Sequence, residues 1–177
     1  MDILLQQNGF IEIPHFFSKT ECNHYIQIID SLFADTSDDA FDIEHYQRMR
    51  ITDNQLSTIV TNYLNNYKLT NLYAYHRWFP TKYIIDGGLD IHCDGNAFDE
   101  DKTSIYTIII YLNDDYQGGR TIFVDDYDEE DITNQHIIQP KQGLALILKQ
   151  DLLHYAEKIH NGCKYILRGD LFVNTDL

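Results

Sequence analysis

The sequence predicts a single, mainly-β domain: a double-stranded β-helix, or jelly roll, backed by N-terminal helices. Two observations support this fold class. The first 68 residues or so contain two amphipathic helical patterns, whereas about residues 69–177 form a series of short β-rich segments separated by turn residues. Many short strands after a helical layer are typical of a jelly roll with helices packed against it. No repeat or linker divides the 177 residues, so we expect one domain over residues 1–177.

Two helices are predicted from their capping signals. Ser18 and Glu21 have the spacing of a capping box, and apolar residues follow them at helical intervals. Thr52 or Asp53 can cap a second amphipathic run. The polar segment 34–50 between the two is predicted to be mobile, as a lid or as a simple loop. The predicted helices cover residues 19–33 and about 53–66.

The strands are predicted from short apolar or alternating runs that lie between turn signals such as Gly87-Gly88 and Gly118-Gly119. They are Leu72–Phe79, Leu89–Cys93, Ile105–Leu112, Thr121–Val124, His136–Ile138, Leu144–Leu148 and Lys164–Val173.

The charge of the chain limits its partners. The formal net charge is −15 and the pI is near 4.6, which argues against binding to a nucleic-acid backbone. Much of the acidity lies in the segments 35–44 and 125–131. Each segment is either a solvated loop or a rim that steers a cationic substrate, so a basic or proline-rich peptide is one expectation.

Neither a membrane segment nor a disulfide framework is predicted. The longest apolar run, residues 105–112, is too short to span a bilayer, and the N-terminus has no basic region of the kind that opens a secretory signal. The cysteines Cys22, Cys93 and Cys163 are odd in number and widely spaced, which favours reduced thiols. We therefore expect a cytoplasmic protein with no membrane partner.

A possible metal site lies in the segment His92-Cys93-Asp94. On a β-strand, residues two apart point to the same face, so His92 and Asp94 can bind one metal ion together. Two histidines and a carboxylate form the facial triad of non-haem Fe(II) oxygenases, which leaves coordination positions open. The third ligand must then come from another strand. His154, 60 residues after Asp94, is expected to reach the metal from across the barrel.

Two basic residues in the last predicted strand also point the same way. Lys164, Ile166, Arg168 and Asp170 alternate along it and share one face. A buried cation is unfavourable unless it is paired, so a dicarboxylate bound in the barrel would explain its presence. This is the physical reason for expecting 2-oxoglutarate as a co-substrate.

Five motifs follow one another in a characteristic order between about Tyr75 and the C-terminus. They are His92-x-Asp94, Tyr111-Leu112-Asn113, Gly118-Gly119-Arg120-Thr121-Ile122-Phe123, Pro140-Lys141-Gln142-Gly143 before the apolar strand, and His154 with Gly162-Cys163-Lys164-Tyr165. In this order and spacing they resemble the Fe(II)- and 2-oxoglutarate-dependent dioxygenases of the prolyl 4-hydroxylase type.

The resemblance implies a role for each residue of the site. His92, Asp94 and His154 would be the catalytic residues that bind Fe(II), and Lys164 would pair with the distal carboxylate of 2-oxoglutarate. Arg168 is a rival or a partner for that role. The other residues expected to line the co-substrate pocket are Thr107, Tyr111 and Thr121.

The chain departs from the family pattern just before His92. Relatives often have a glycine shortly after an Arg-aromatic pair, whereas here Arg77-Trp78 is followed by Phe79-Pro80 and the longer segment 81–90. Tyr83 lies in this region and is a candidate for the tyrosine that some relatives direct at the co-substrate.

The activity that the resemblance implies is hydroxylation of a C–H bond with O₂ and 2-oxoglutarate, with release of succinate and CO₂ and with ascorbate as a candidate reductant. A peptidyl residue such as proline is the first candidate substrate. Two alternatives stay open: the same chemistry on a small molecule or free amino acid, and a catalytically silent metal-binding jelly roll. The expected assembly is a monomer or a weak homo-oligomer.

Overall fold

The computed structural model describes residue 5 and residues 7–34, 41–43, 45–128 and 132–174, with the backbone alone for 41–43. The helices there are α1 (Lys19–Ala34) and α2 (Asn54–Asn66). The strands there are β1 (Phe10–Ile13), β2 (Phe41–Ile43), β3 (Tyr46–Arg48), β4 (Ile51–Thr52), β5 (Leu72–Tyr83), β6 (Leu89–His92), β7 (Phe98–Asp99), β8 (Lys102–Thr103), β9 (Tyr106–Tyr111), β10 (Gln117–Gly118), β11 (Thr121–Val124), β12 (Gln135–Ile138), β13 (Ala145–Lys149), β14 (His154–Ala156), β15 (Ile159–Asn161) and β16 (Lys164–Val173).

Both predicted helices are confirmed, and so are their caps. The Ser18 N–H donates to Glu21 Oε2 at 2.7 Å, and the Glu21 N–H donates back to Ser18 Oγ at 3.3 Å, which is a capping box. Asp53, one of the two candidates, caps α2, because its carboxylate accepts from the Leu56 N–H at 2.8 Å. Each helix therefore begins where its sequence signal places it.

Two antiparallel sheets form the body of the fold. The larger has the order β1-β13-β9-β16-β5-β3-β2, with β4 also paired to β5, and the smaller has the order β12-β11-β14-β6. A core of apolar side chains lies between them, including Tyr111 and Leu146 from the larger sheet and Phe123 and Ile138 from the smaller. Two such sheets packed face to face are a jelly roll, as predicted.

The two helices cover the outer face of the larger sheet. Ile29 of α1 and Val60 of α2 belong to a second core, which they share with Ile108 of β9 and Leu171 of β16. Strand β9 is buried along its whole length because alternate residues face the helices and the space between the sheets. The inner faces of β9, β16 and β5 are thereby fixed as one wall of that space.

The prediction of a loop over residues 34–50 is wrong for residues 41–43 and 46–48. These residues form β2 and β3, a hairpin that extends the larger sheet next to β5. The runs are too short for periodicity to reveal them, and cross-strand contacts help to hold β3: the Tyr46 and Tyr83 rings lie 5.4 Å apart. Residues 35–40 and 44 of the predicted lid lie outside the described residues.

Several other strands differ from the predicted set. Strand β5 continues four residues past its expected end at Phe79, through Pro80, whose carbonyl accepts from the Met49 N–H. Strand β1 was not predicted, because the N-terminal part was expected to be helical. The remaining unpredicted strands are short: β4, β7, β8, β10, β14 and β15. Within the described ranges, neither helix has the length and apolar character that crossing a membrane requires.

Trp78 connects the larger sheet to α2. Its side chain is fully buried, and its indole N–H donates to Ser57 Oγ at 2.9 Å. The ring lies directly over Gly169 of the neighbouring strand β16, where a Cβ atom would stand only 2.6 Å from Trp78 Cζ3. Gly169 is therefore required by close packing between β5 and β16.

We expect Gly169→Ala to lower the free energy of unfolding by about 1–3 kcal/mol, because the added methyl group must displace the Trp78 ring. Urea denaturation followed by tryptophan fluorescence measures this change. Gly95→Ala is the matched control, since a Cβ there meets nothing within 4 Å. Its unfolding free energy should stay within about 1 kcal/mol of wild type. Equal stability of the two variants would contradict the packing argument.

Candidate active site

The three predicted metal ligands lie together at one end of two paired strands of the smaller sheet. His92 ends β6, Asp94 follows two residues later, and His154 begins β14. Their potential ligand atoms all lie within 4.8 Å of one another, and the two imidazole rings are 4.3 Å apart. The expectation that His154 comes from across the barrel is wrong, because β14 pairs directly with β6 and His154 stands opposite His92.

Backbone carbonyls fix the orientation of both imidazole rings. Nδ1 of His92 lies 2.7 Å from the Asp90 carbonyl, and Nδ1 of His154 lies 2.9 Å from the Leu152 carbonyl. A carbonyl only accepts, so each Nδ1 carries the proton and donates it. In the neutral ring of this tautomer Nε2 keeps its lone pair, which is the form of histidine that binds a metal ion.

Asp94 supplies the third potential metal ligand, and one of its two carboxylate oxygen atoms is free. Its Oδ1 lies 3.2 Å from Arg168 Nη2, whereas its Oδ2 is buried and has no hydrogen-bond partner. Burial raises the pKa of Asp94, but the Arg168 guanidinium, His154 and the Thr107 hydroxyl outweigh it and hold the pKa below its ordinary value. An ionised carboxylate with an unsatisfied buried oxygen fits a cation held between it and the two histidines.

His154 is also in the form that a metal requires. Burial lowers its pKa, and His92 and Arg168 act in the same direction, while Asp94 opposes them. The imidazole is therefore neutral at neutral pH. The three residues together could hold Fe(II) with two neutral nitrogen atoms and one anionic oxygen atom.

Lys164 is a buried cation without a carboxylate partner among the described residues. Its side chain is only 3% exposed, and Nζ donates to the Gly119 carbonyl at 2.6 Å. The ammonium group lies 5.5 Å and 5.3 Å from the ring centres of Tyr83 and Tyr111. Burial lowers the pKa of Lys164 to about 7, and Glu157 offsets this only in part.

Arg168 has different surroundings from Lys164, although the two share the inner face of β16 as predicted. Its guanidinium contacts Asp94, lies 3.4 Å from Asp170 Oδ1, and donates to Thr107 Oγ1 at 3.4 Å. Asp170 is fully buried. The structure therefore places Arg168 beside a predicted metal ligand and Lys164 at a separate position near Tyr111.

The three expected pocket-lining hydroxyls are not equivalent. Tyr111 and Thr121 share a 2.7 Å hydrogen bond, Thr121 lines the cavity, and Tyr111 lies against Lys164. Thr107 is fully buried behind Asp94 and Arg168 and does not line the cavity. Thr107 thus supports Arg168 and the predicted metal ligand Asp94 through hydrogen bonds.

One cavity of about 510 Å³ connects these groups. The larger sheet supplies Lys164 and Arg168 to its wall, and the smaller sheet supplies the two histidines. Arg48 and Arg77 also line it and were not predicted as site residues. Arg77 could have been found, because it alternates with Phe79 and Tyr83 on β5. Arg48 lies on the hairpin that the sequence does not reveal.

Residues 78–169, just over half of the chain, match the family model of the 2OG-Fe(II) oxygenase superfamily. The matched segment runs from β5 to β16 and contains the predicted triad, Lys164 and Arg168. The chain belongs to this superfamily, whose members take their name from Fe(II) and 2-oxoglutarate. The predicted resemblance is thereby confirmed at the level of the superfamily.

Solved structures share the fold at low sequence identity. A prolyl 4-hydroxylase from Pseudomonas putida aligns with a TM-score of 0.68 and 15% identity over 97% of this chain and 96% of its own. A Trichoplax adhaerens prolyl hydroxylase, in complex with a hypoxia-inducible factor peptide, aligns with a TM-score of 0.67 and 15% identity. The alignment covers 97% of this chain and 86% of the hydroxylase. HygX of Streptomyces hygroscopicus, with nickel, 2-oxoglutarate and hygromycin B bound, aligns with a TM-score of 0.67 and 14% identity. The alignment covers 98% of this chain and 86% of HygX. None of the curated proteins matches the sequence.

The lowered pKa of Lys164 predicts how stability depends on pH. Between about pH 7 and the ordinary pKa of 10.5, the unfolded chain carries a proton on this lysine that the folded protein has lost. The free energy of unfolding of wild type should therefore rise with pH, relative to Lys164→Met, by at most about 1.4 kcal/mol per unit. Urea denaturation of both proteins at several pH values between 7 and 9 measures the difference.

Lys82→Met is the control for this experiment. Lys82 lies on β5 and pairs with Asp30 at 2.8 Å. Burial works against its charge, but hydrogen bonds to Asp30 and Tyr165 outweigh it and raise the pKa. The free energy of unfolding of Lys82→Met should therefore change with pH as that of wild type does between pH 7 and 9. If the free energy of unfolding of Lys164→Met also changed with pH as that of wild type does, the buried lysine would keep its proton over this range.

Proposed function

We propose that the protein is an Fe(II)- and 2-oxoglutarate-dependent dioxygenase that hydroxylates a C–H bond of a peptidyl residue such as proline and releases succinate and CO₂. In this proposal His92, Asp94 and His154 bind the metal ion, and Lys164 binds the distal carboxylate of 2-oxoglutarate. One observation carries it. A triad with three free ligand atoms and a buried, unpaired lysine face the same cavity.

Fe(II), when bound, supplies the centre at which 2-oxoglutarate and O₂ react. The protein's own contribution is to hold the ligand atoms on one side. The Asp90 and Leu152 carbonyls keep Nε2 of each histidine directed at the common point, and Arg168 holds Oδ1 of Asp94 so that Oδ2 stays free.

Lys164 is the better candidate for the co-substrate anchor because Arg168 is already engaged. Arg168 contacts two carboxylates, whereas Lys164 contacts one carbonyl and two aromatic rings. A carboxylate next to Lys164 would favour its charged form, so Nζ would take up a proton as 2-oxoglutarate binds near neutral pH. In this proposal the Thr121 hydroxyl, which lines the cavity and is hydrogen-bonded to Tyr111, assists in binding the carboxylate.

The structural neighbours support both substrate classes. Two of those described above are prolyl hydroxylases, one of them in complex with a peptide, which favours a peptidyl substrate here. HygX with hygromycin B bound supports the alternative of a small-molecule substrate. Mass spectrometry distinguishes the two substrate classes. Proline-containing peptides and free amino acids are incubated with the protein, Fe(II), 2-oxoglutarate and O₂, and a gain of one oxygen atom identifies the substrate.

We expect His92→Ala, Asp94→Ala and His154→Ala each to weaken Mn(II) binding by at least about 100-fold, because each removes one of three protein ligands. Electron paramagnetic resonance of free and bound Mn(II) measures the affinity. Succinate release with Fe(II), 2-oxoglutarate and ascorbate should be lost in parallel. His24→Ala is the control, since His24 is exposed on α1.

Two outcomes would count against this assignment. Unchanged Mn(II) affinity in the three variants would remove these residues from the metal site. Normal Mn(II) binding by wild type without succinate release, with peptides or small molecules present, would favour the catalytically silent binding protein.

We expect Lys164→Met to raise the KM for 2-oxoglutarate by about 10- to 150-fold, the equivalent of a charged hydrogen bond of 1.5–3 kcal/mol. Steady-state succinate release gives KM, and Lys82→Met is the control. Arg168→Met should instead weaken Mn(II) binding, because Arg168 holds Asp94. A raised KM in Arg168→Met together with a normal KM in Lys164→Met would reverse the two roles.

A further inference from the structure

The active-site cavity holds more positive charge than the proposed metal and co-substrate require. The chain has 13 Lys and Arg residues against 28 Asp and Glu. Four of the basic residues line this one cavity: Arg48, Arg77, Lys164 and Arg168. Among the described residues, Asp94 is the one carboxylate that lines it. In so acidic a protein, this concentration of cations indicates that the cavity receives anions.

Two of the four cations already have partners. In the proposed function the distal carboxylate of 2-oxoglutarate matches Lys164, and Asp170 matches Arg168. The two positive charges of Fe(II) are balanced by Asp94 and by the other carboxylate of the co-substrate. Arg48 and Arg77 therefore remain to interact with another molecule.

Arg77 has a hydrogen-bond donor that nothing in the described structure satisfies. Its Nη2 lies 3.1 Å from Asp170 Oδ2, but Asp170 also binds Arg168 and Gln150. Nε of Arg77 is buried and has no partner. The Arg77 side chain as a whole is 30% exposed and lines the cavity, so the donors of its guanidinium that Asp170 does not use can bind an acceptor supplied by a ligand.

Arg48 has no carboxylate within ion-pair distance in the described part of the chain. Its Nε lies 3.4 Å from Thr81 Oγ1, and its guanidinium lies 5.5 Å from the centre of the Tyr46 ring. Strand β3 pairs with β5 so that Arg48 stands beside Thr81. Arg77, Phe79 and Thr81 alternate along β5, so the two arginines lie on either side of Phe79, on the wall formed by the larger sheet.

We infer that the substrate to be oxidised carries an anionic group, a carboxylate or a phosphate, which binds to Arg48 and Arg77 on this wall. The inference rests on the proposed function, because it assigns the space left beside the metal and co-substrate. A guanidinium group binds the paired oxygen atoms of a carboxylate or phosphate through two parallel hydrogen bonds. An anionic substrate differs from the basic peptide that the acidic segments of the sequence suggest.

Inorganic phosphate is a suitable first probe. The protein is saturated with Mn(II) and 2-oxoglutarate, both confirmed bound beforehand, and phosphate is titrated while its ³¹P relaxation is recorded. Mn(II) accelerates relaxation only of phosphate that lies near the metal. We expect a saturable enhancement in wild type and at least about tenfold weaker binding in Arg48→Gln, because one charged fork is lost.

Arg50→Gln is the matched control, since Arg50 is exposed and lies two residues from Arg48. It should bind phosphate as wild type does. Arg48 has no carboxylate to leave unpaired in the described structure, so Arg48→Gln should fold, and circular dichroism checks this. Arg77→Gln is a second variant with the same expected loss, although it leaves the buried Asp170 short of one partner.

The results separate this inference from the proposed function. Failure of Mn(II) or 2-oxoglutarate to bind would count against the proposed function. Normal binding of both with no phosphate enhancement, or with equal enhancement in Arg48→Gln, would overturn the anionic substrate. Direct binding of phosphate to the metal ion would also be insensitive to Arg48→Gln, and so would count as an overturning result.

A second arm identifies the anionic group. Succinate release is compared for three peptide pools that are identical except for one position, which is Glu, phosphoserine or Gln. Stimulation by the Glu or the phosphoserine pool over the Gln pool, lost in Arg48→Gln and kept in Arg50→Gln, supports the inference and names the group. Stimulation by the Gln pool equal to that by both acidic pools would overturn it.

Discussion

The active-site wall depends on one buried carboxylate, Asp170. It is fully excluded from solvent, yet it accepts from Arg77, Arg168 and Gln150. Without it, Arg77 would have no carboxylate within ion-pair distance among the described residues, and Arg168 would keep only Asp94. The position of Arg168, and through it the orientation of Asp94, follows from this interaction. The proposed metal site is therefore supported by the larger sheet, although its two histidines lie in the smaller one and Asp94 follows a strand of that sheet.

Much of this arrangement could be predicted from the sequence, because strand alternation is a local property. His92 and Asp94 were placed on one face by their spacing, and Lys164 and Arg168 likewise by theirs, and the cavity contains all four. The helix boundaries followed from side-chain caps at Ser18 and Asp53, which are equally local.

Features that depend on pairing between distant strands were not predictable in the same way. The sequence gives no sign that β14 lies next to β6, so His154 was expected on the wrong side of the barrel. The hairpin that carries Arg48 is held by contacts with Tyr83, which lies 35 residues later. The choice between Lys164 and Arg168 depended on which of them already had a carboxylate neighbour, and only three-dimensional contacts reveal that.

The continuity of β16 has a consequence for the co-substrate. Lys164 and Arg168 lie on one uninterrupted strand, four residues apart, so their Cα atoms are separated by about 13 Å. Arg168 contacts the proposed metal ligand Asp94, and thus the distance from the basic anchor to the metal is set by the rigid backbone of a central strand. In the proposed function this fixed spacing favours a diacid of one chain length over shorter or longer ones, because β16 is hydrogen-bonded to a strand on each side and its backbone cannot lengthen.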